Sequence, residues 1–263
     1  MTFMGLASSL ALILAAGSVS PAAAIVDGGI ANEPNPYPFV GRITYVSPGP
    51  TGAYCTATLI DPSWALTAGH CLRIDGKDLA ADTVRIRFNF TRLDGNYAPL
   101  GGEERSGAYL AYASTGMGVV KLDAPITDIS PVPLADPNQS FLWAKGSDVE
   151  IVGWGALNLK GTVVSRELRD GWNTIDDDNV SQLGADSNMI RTTPPVHGGL
   201  GNAYGSEGDS GAPLLAYKDG FVEIGIYDLN VRWIAGRIYG SSLWDAVGRS
   251  TYHDWIQWQM ANR

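Results

Sequence analysis

The chain has 263 residues, a net charge of −9, 32 glycines and 15 prolines. Its length gives one large domain or two small ones with a sizeable buried core. The acidic balance argues against nucleic acid or an anionic membrane as the main partner. The many turn formers, the β-branched residues and the lack of helical periodicity indicate an all-β fold.

Residues 1–24 read as a signal peptide, with an apolar core at 6–16 and a small-residue cleavage site at Ala22-Ala23-Ala24. The stretch has no Lys or Arg, so its positive charge is the amino terminus alone. The apolar run is short for a spanning helix. Export is therefore expected, to the extracellular space or to the periplasm of a Gram-negative bacterium, with no stable membrane association. Cleavage after Ala24 leaves Ile25-Val26-Asp27-Gly28-Gly29 as the mature start.

A proline-rich connector covers 34–38. Strands are expected over 39–46, 53–60 and 64–67, the last running into Ala68-Gly69-His70-Cys71. Cys55 and Cys71 are the two cysteines. In an exported chain an even count points to a disulfide. It would close a loop of about 15 residues, worth roughly 3 kcal/mol in the chain-entropy model. It would also hold the backbone of His70 rigid, as a catalytic base requires. Two cysteines and one adjacent histidine are too few ligands for zinc, and no metal or cofactor is expected.

Over 84–90, Val84, Ile86 and Phe88 alternate with Arg85, Arg87 and Asn89, the pattern of a half-buried strand. Asp75-Gly76-Lys77-Asp78 reads as a solvated turn rather than a calcium loop. Residues 118–122 form a short apolar strand. The proline-containing stretch 123–146 resembles an interdomain crossing. A second set of strands opens at 149–154. Residues 156–207 read as loop-rich, with Asp176-Asp177-Asp178 as a solvated acidic turn. Strands at 214–217 and 222–227 flank a turn at Lys218-Asp219-Gly220. At 252–260, Tyr252, Trp255, Ile256 and Met260 share one helical face.

The stretch that organises the chain is Gly208-Asp209-Ser210-Gly211-Ala212-Pro213. Its glycines permit a sharp turn and a close approach by another molecule. Such a turn lifts the Ser210 hydroxyl and aims the N–H groups of Gly208 and Ser210 at one point, the geometry of an oxyanion hole. Ile25-Val26-Asp27-Gly28-Gly29, Leu66-Thr67-Ala68-Gly69-His70-Cys71 with Cys55, Gly153-Trp154-Gly155 and the Ser210 loop follow in that order. In order and spacing they resemble the trypsin/chymotrypsin family of serine endopeptidases, over about residues 25–260.

The resemblance implies two six-stranded antiparallel β-barrels, at about 25–135 and 136–250, with the active site between them and a short terminal helix at about 252–260. It implies Ser210 as nucleophile, His70 as general base and then acid, and Gly208 and Ser210 N–H groups as the oxyanion hole. It also implies that the amine of Ile25 pairs with Asp209. A buried carboxylate needs a cation, and a new amino terminus supplies one. Signal cleavage alone would then generate the active terminus, without a zymogen stage. Proteins or peptides are the expected substrates, and the enzyme is expected to be a monomer.

Three departures from the family pattern matter. No cysteine follows Cys71, so the second barrel lacks its usual disulfides. The acidic pocket-floor position falls on Tyr204, with Asn230 near the pocket wall. No preference for Lys or Arg is expected unless Glu207 or Asp245 enters the pocket. The catalytic aspartate position, just before 119–122, is Gly116. In Ile224-Gly225-Ile226-Tyr227-Asp228-Leu229-Asn230, Asp228 falls where relatives have a serine that touches the catalytic aspartate. Strand alternation puts it inward with Ile224 and Ile226. The expected triad is therefore His70, Asp228 and Ser210, with Gly116 leaving space for the moved acid. Asp123 and Asp128 sit on a turn beyond the strand and are weaker rivals. The alternative function is a catalytically inactive serine-protease homologue that binds a partner through the same cleft.

Overall fold

Strand-length runs of alternating or wholly apolar residues, punctuated by glycine and proline turns, build almost the whole molecule. The computed structural model describes residues 25–47, 54–74, 76–113, 116–158, 161–180, 188–192, 203–231 and 241–263. The signal peptide expected at 1–24 lies outside them. In chain order the strands are β1 (Gly29–Ile30), β2 (Val40–Tyr45), β3 (Cys55–Asp61), β4 (Trp64–Ala68), β5 (Arg73–Ile74), β6 (Lys77–Asp78), β7 (Val84–Phe88), β8 (Glu103–Tyr112) and β9 (Met117–Leu122). They continue with β10 (Asp148–Gly153), β11 (Arg169–Asp177), β12 (Met189–Thr192), β13 (Pro213–Tyr217), β14 (Phe221–Val231) and β15 (Ser241–Asp245). One helix, α1 (Ser250–Asn262), follows them.

The first barrel closes in the order β2-β3-β4-β9-β8-β7. In β7 the alternation read from the sequence holds: Val84, Ile86 and Phe88 are buried and the two arginines between them are half-exposed. The second barrel runs β11-β10-β13-β14-β15-β12, and β12 pairs back onto β11. All strand pairs are antiparallel, as the family resemblance implied. β5 and β6 form a small hairpin, in which Lys77 and Asp78, read from the sequence as part of a turn, are strand residues.

The stretch read as loop-rich contains β11, nine residues long. Its Asp-Gly step and inward polar residue disguise it. Asn173 is buried and donates from Nδ2 to the Ala203 carbonyl at 2.6 Å. Asp176 and Asp177 are not a solvated turn. They end β11, where the Arg191 guanidinium lies 2.8 Å from Asp176 and 3.8 Å from Asp177.

Each barrel receives one element from the far end of the chain. β1 adds to the outer edge of β11 in the second barrel. α1 packs the other way, burying Tyr252 and Ile256 in a core shared with the first barrel. Its Gln259 accepts a hydrogen bond from the Tyr109 hydroxyl of β8. The crossing between barrels is stitched to both, with Val132 N–H donating to Leu59 and Ala135 N–H to Glu223.

Candidate active site

β4 ends at Ala68, and a single 3-10 turn over Gly69–Leu72 carries His70. The Cys55–Cys71 disulfide ties that turn to β3. Cys71 Sγ lies 3.7 Å from the Ser210 carbonyl oxygen. The disulfide therefore braces the turn of His70 and also abuts the backbone of Ser210.

The Ser210 loop needs both glycines. Gly208 has φ +91° and Gly211 φ +82°, values that L side chains rarely adopt. A Cβ on Gly211 would collide with Thr67 Oγ1 and the Thr56 carbonyl, so only glycine lets the loop touch the end of β4. Thr56 clamps the loop from β3. Its N–H donates to the Ser210 carbonyl at 2.9 Å and its hydroxyl to the Gly208 carbonyl at 3.0 Å. Among the described residues, neither the Gly208 nor the Ser210 N–H donates to a protein acceptor.

Asp209 is fully buried and accepts hydrogen bonds from Gly155 N–H at 2.7 Å and Ser206 N–H at 2.8 Å. Burial pushes its carboxyl up to about 7, and the two amides offset only part of that. A Cβ at Gly153 or Gly155 would collide with this carboxylate, which explains why the Gly-Trp-Gly sequence carries glycines there. Ile25 is also fully buried, and its Cδ1 lies 3.3 Å from the position a Gly153 Cβ would take. The two residues the family pairs through an amine thus share one enclosure.

Asp228 Oδ1 is 3.4 Å from His70 Nδ1, with the side chains 18% and 52% exposed. β14 shifts register against β15 between Tyr227 and Leu229, so Asp228 is the extra residue of a β-bulge. Bulges re-aim side chains, so simple alternation along β14 does not by itself set where Asp228 points. His70 and Asp228 line a cleft of about 660 Å³ together with Gly69, Arg73, Tyr112 and Gly116.

One expectation needs correction. Gly116 does not leave empty space, because a Cβ there would collide with the Asp245 carboxylate. Asp245 is buried and accepts from the Tyr252 hydroxyl at 3.1 Å. A second carboxylate has taken the volume next to Gly116, and nothing in the sequence around either residue announces it. Asp245 is therefore not a pocket acid. Glu207 is exposed and folds over Gly161. Asp123 accepts from Ser106 N–H at 3.2 Å, and Asp128 is exposed.

Tyr204 is buried, bridging through its backbone to Val26. Burial and the Asp27 carboxylate push its hydroxyl up to about 12. The Asn230 side chain lies outside the described residues. Among those residues no helix is long and apolar enough to cross a membrane.

Comparison with known proteins agrees with this geometry. The family model described as Trypsin matches residues 26–231. The chain is 26% identical over 215 residues to serine protease SSP1 of Scolopendra subspinipes, covering 76% of this chain and 71% of that protein. It is 25% identical over 201 residues to chymotrypsin-like elastase family member 1 of Felis catus, covering 74% of each.

Proposed function

Because the chain belongs to the trypsin family of serine proteases, we propose that it is an exported, active serine endopeptidase with His70, Asp228 and Ser210 as its triad. The observation that carries this reading is the 3.4 Å approach of Asp228 to His70 Nδ1, made while Gly116 stands where the family's acid belongs.

In this reading His70 Nε2 takes the Ser210 proton as Oγ attacks the scissile carbonyl. The developing oxyanion is received by the Gly208 and Ser210 N–H groups. His70 then gives the proton to the leaving amine, and water repeats the sequence on the acyl-enzyme. Asp228 accepts from His70 Nδ1–H. It thereby fixes the tautomer that leaves Nε2 free and stabilises the imidazolium once it forms. Cleavage before Ile25 supplies an amine for Asp209. The pair then orders the Gly208 amide, and residues 1–24 serve as the removed signal.

The test uses protein that starts at Ile25, a fluorophosphonate probe and a mixed peptide digest. Ser210→Ala is expected to abolish labelling and cleavage. Asp228→Asn is expected to lower turnover by roughly 10²–10⁴ with its melting transition unchanged. Near-full activity of Asp228→Asn would end the relocated triad. Failure of the unmodified protein to take the probe would favour a non-catalytic binding role.

A further inference from the structure

Tyr54 immediately precedes β3, one residue from the Cys55–Cys71 staple. A Cβ on Gly208 would collide with its Cε2, Cζ and hydroxyl oxygen. The hydroxyl-bearing edge of the Tyr54 ring therefore lies against the α-carbon of Gly208. Thr56, two residues on, holds the same glycine at a second point, its hydroxyl donating to the Gly208 carbonyl at 3.0 Å. One short stretch of the first barrel thus grips Gly208 at its α-carbon and at its carbonyl. The grip matters because Gly208 has φ +91°, and a glycine crosses between positive and negative φ more freely than any other residue. Lacking a side chain of its own, it is kept there by its neighbours.

The ring is backed in turn by Arg42 of β2, whose guanidinium carbon lies 4.4 Å from the ring centroid. Arg42 is 8% exposed, and its Nε has no hydrogen-bond partner among the described residues. A guanidinium is costly to bury, and the face of Tyr54 is what receives this one. Arg42 stands opposite Thr56 in the β2–β3 pair, so the cation, the ring and the threonine come from adjoining positions of two strands. Burial and then the Asp209 carboxylate push the Tyr54 hydroxyl up to about 12, against the pull of Arg42. The ring is therefore neutral near pH 7.

We infer that Tyr54 is a positioning residue: backed by Arg42, it holds Gly208 at positive φ and so keeps the Gly208 N–H aimed at the oxyanion. The inference rests on the serine-protease reading of Ser210 and adds to it a residue outside the triad and its loop. With the α-carbon and the carbonyl of Gly208 fixed, φ alone sets where its N–H points. An oxyanion donor contributes most when it is fixed before the charge develops.

The test compares Tyr54→Ala, which removes the ring, with Tyr54→Phe, which keeps it, in protein starting at Ile25. Turnover is expressed per site titrated with the fluorophosphonate probe, so a smaller folded fraction does not register as slower chemistry. Tyr54→Ala is expected to lower kcat by about 10–100-fold with KM within about threefold of the parent. Tyr54→Phe is expected to keep kcat within about threefold of the parent. Arg42→Met should lower kcat about threefold in the parent and change nothing in Tyr54→Ala, since it acts through the ring. In Ser210→Ala protein, which needs no turnover, the Gly208 α-proton resonances should carry the ring current of Tyr54 and lose it in Tyr54→Ala alone. Parent-like kcat in Tyr54→Ala, a Tyr54→Phe enzyme as slow as Tyr54→Ala, an Arg42→Met loss that persists without the ring, or unmoved Gly208 resonances would each overturn the inference. If the probe fails to label Ser210 in the unmodified protein, the catalytic reading falls, and the Gly208 resonances still decide whether Tyr54 holds the loop.

Discussion

His70 and Ser210 are held in place by different physics. His70 sits on a short turn stapled to β3 by the Cys55–Cys71 disulfide. The Ser210 loop has no covalent brace, since no cysteine follows Cys71. It is held by a buried carboxylate, two amides, one threonine and glycines that let the pieces touch. A covalent staple works at any pH and largely by restricting the unfolded chain. A buried carboxylate stabilises a loop only when its charge is matched or its proton retained. The first barrel is thus positioned unconditionally, and the second in a way that depends on the charge state beside it.

The largest effect should come from breaking the second arrangement. Gly155→Ala drives a methyl group into the Asp209 carboxylate. It should lower stability by about 3 kcal/mol and remove fluorophosphonate labelling. Wild-type labelling in a folded Gly155→Ala protein would show that the loop does not depend on Asp209.

Removing the staple by Cys55→Ser with Cys71→Ser should lower stability by a similar amount, about 3 kcal/mol. Its signature is different: below the melting transition, activity should stay within about tenfold of the parent, because β3 and β4 still pair around the turn. Urea unfolding and active-site titration at low temperature separate the two variants.

Putting the family's acid back should fail. Gly116→Asp meets both φ +101° and the Asp245 carboxylate, so a loss of roughly 1–3 kcal/mol in stability is expected, with no gain in turnover. Adding Asp245→Ser should recover part of that stability. Raised activity in Gly116→Asp alone would refute the exchange of volume between the two positions.

The smallest effect is the pH dependence. Asp209 is raised above its unfolded value, to about 7, in the chain that continues before Ile25. A raised carboxyl means the folded state holds its proton more tightly. Its contribution is complete below the unfolded value near 4 and is lost as pH rises toward 7. A free Ile25 amine that pairs with the ionised form would reverse this. The stability gap between protein starting at Ile25 and the longer form should therefore be wider at pH 8 than at pH 5, read from urea midpoints. Equal gaps at the two pH values would refute the pairing.

Much of this was legible in the sequence because it rests on local pattern. The alternation through Val84, Ile86 and Phe88 and the glycines around Ser210 are short-range signals, whereas the bulge that carries Asp228 is not. What was not legible depends on residues far apart in the chain. β11 was missed because its buried position 173 is an asparagine satisfied by Ala203, thirty residues on. The filling of the Gly116 volume joins positions 116 and 245, and the Tyr227 ring lying on the Gly205 backbone joins 205 and 227. A glycine in a sequence shows that something may come close, but only the fold says what does.

The exchange of β1 and α1 has a consequence for how the molecule would respond to damage. A single cut in the crossing between residues 123 and 136 would leave two fragments, each with the six strands of its own barrel and one element packed on the other's. The first would keep β1, which is paired into the second barrel. The second would keep α1, whose Tyr252 and Ile256 are buried against the first. The nicked protein should therefore elute as one particle, with its cleft still assembled, and fall apart only in denaturant. The two halves are clasped by strand and helix, so backbone continuity between them is not what holds the cleft together.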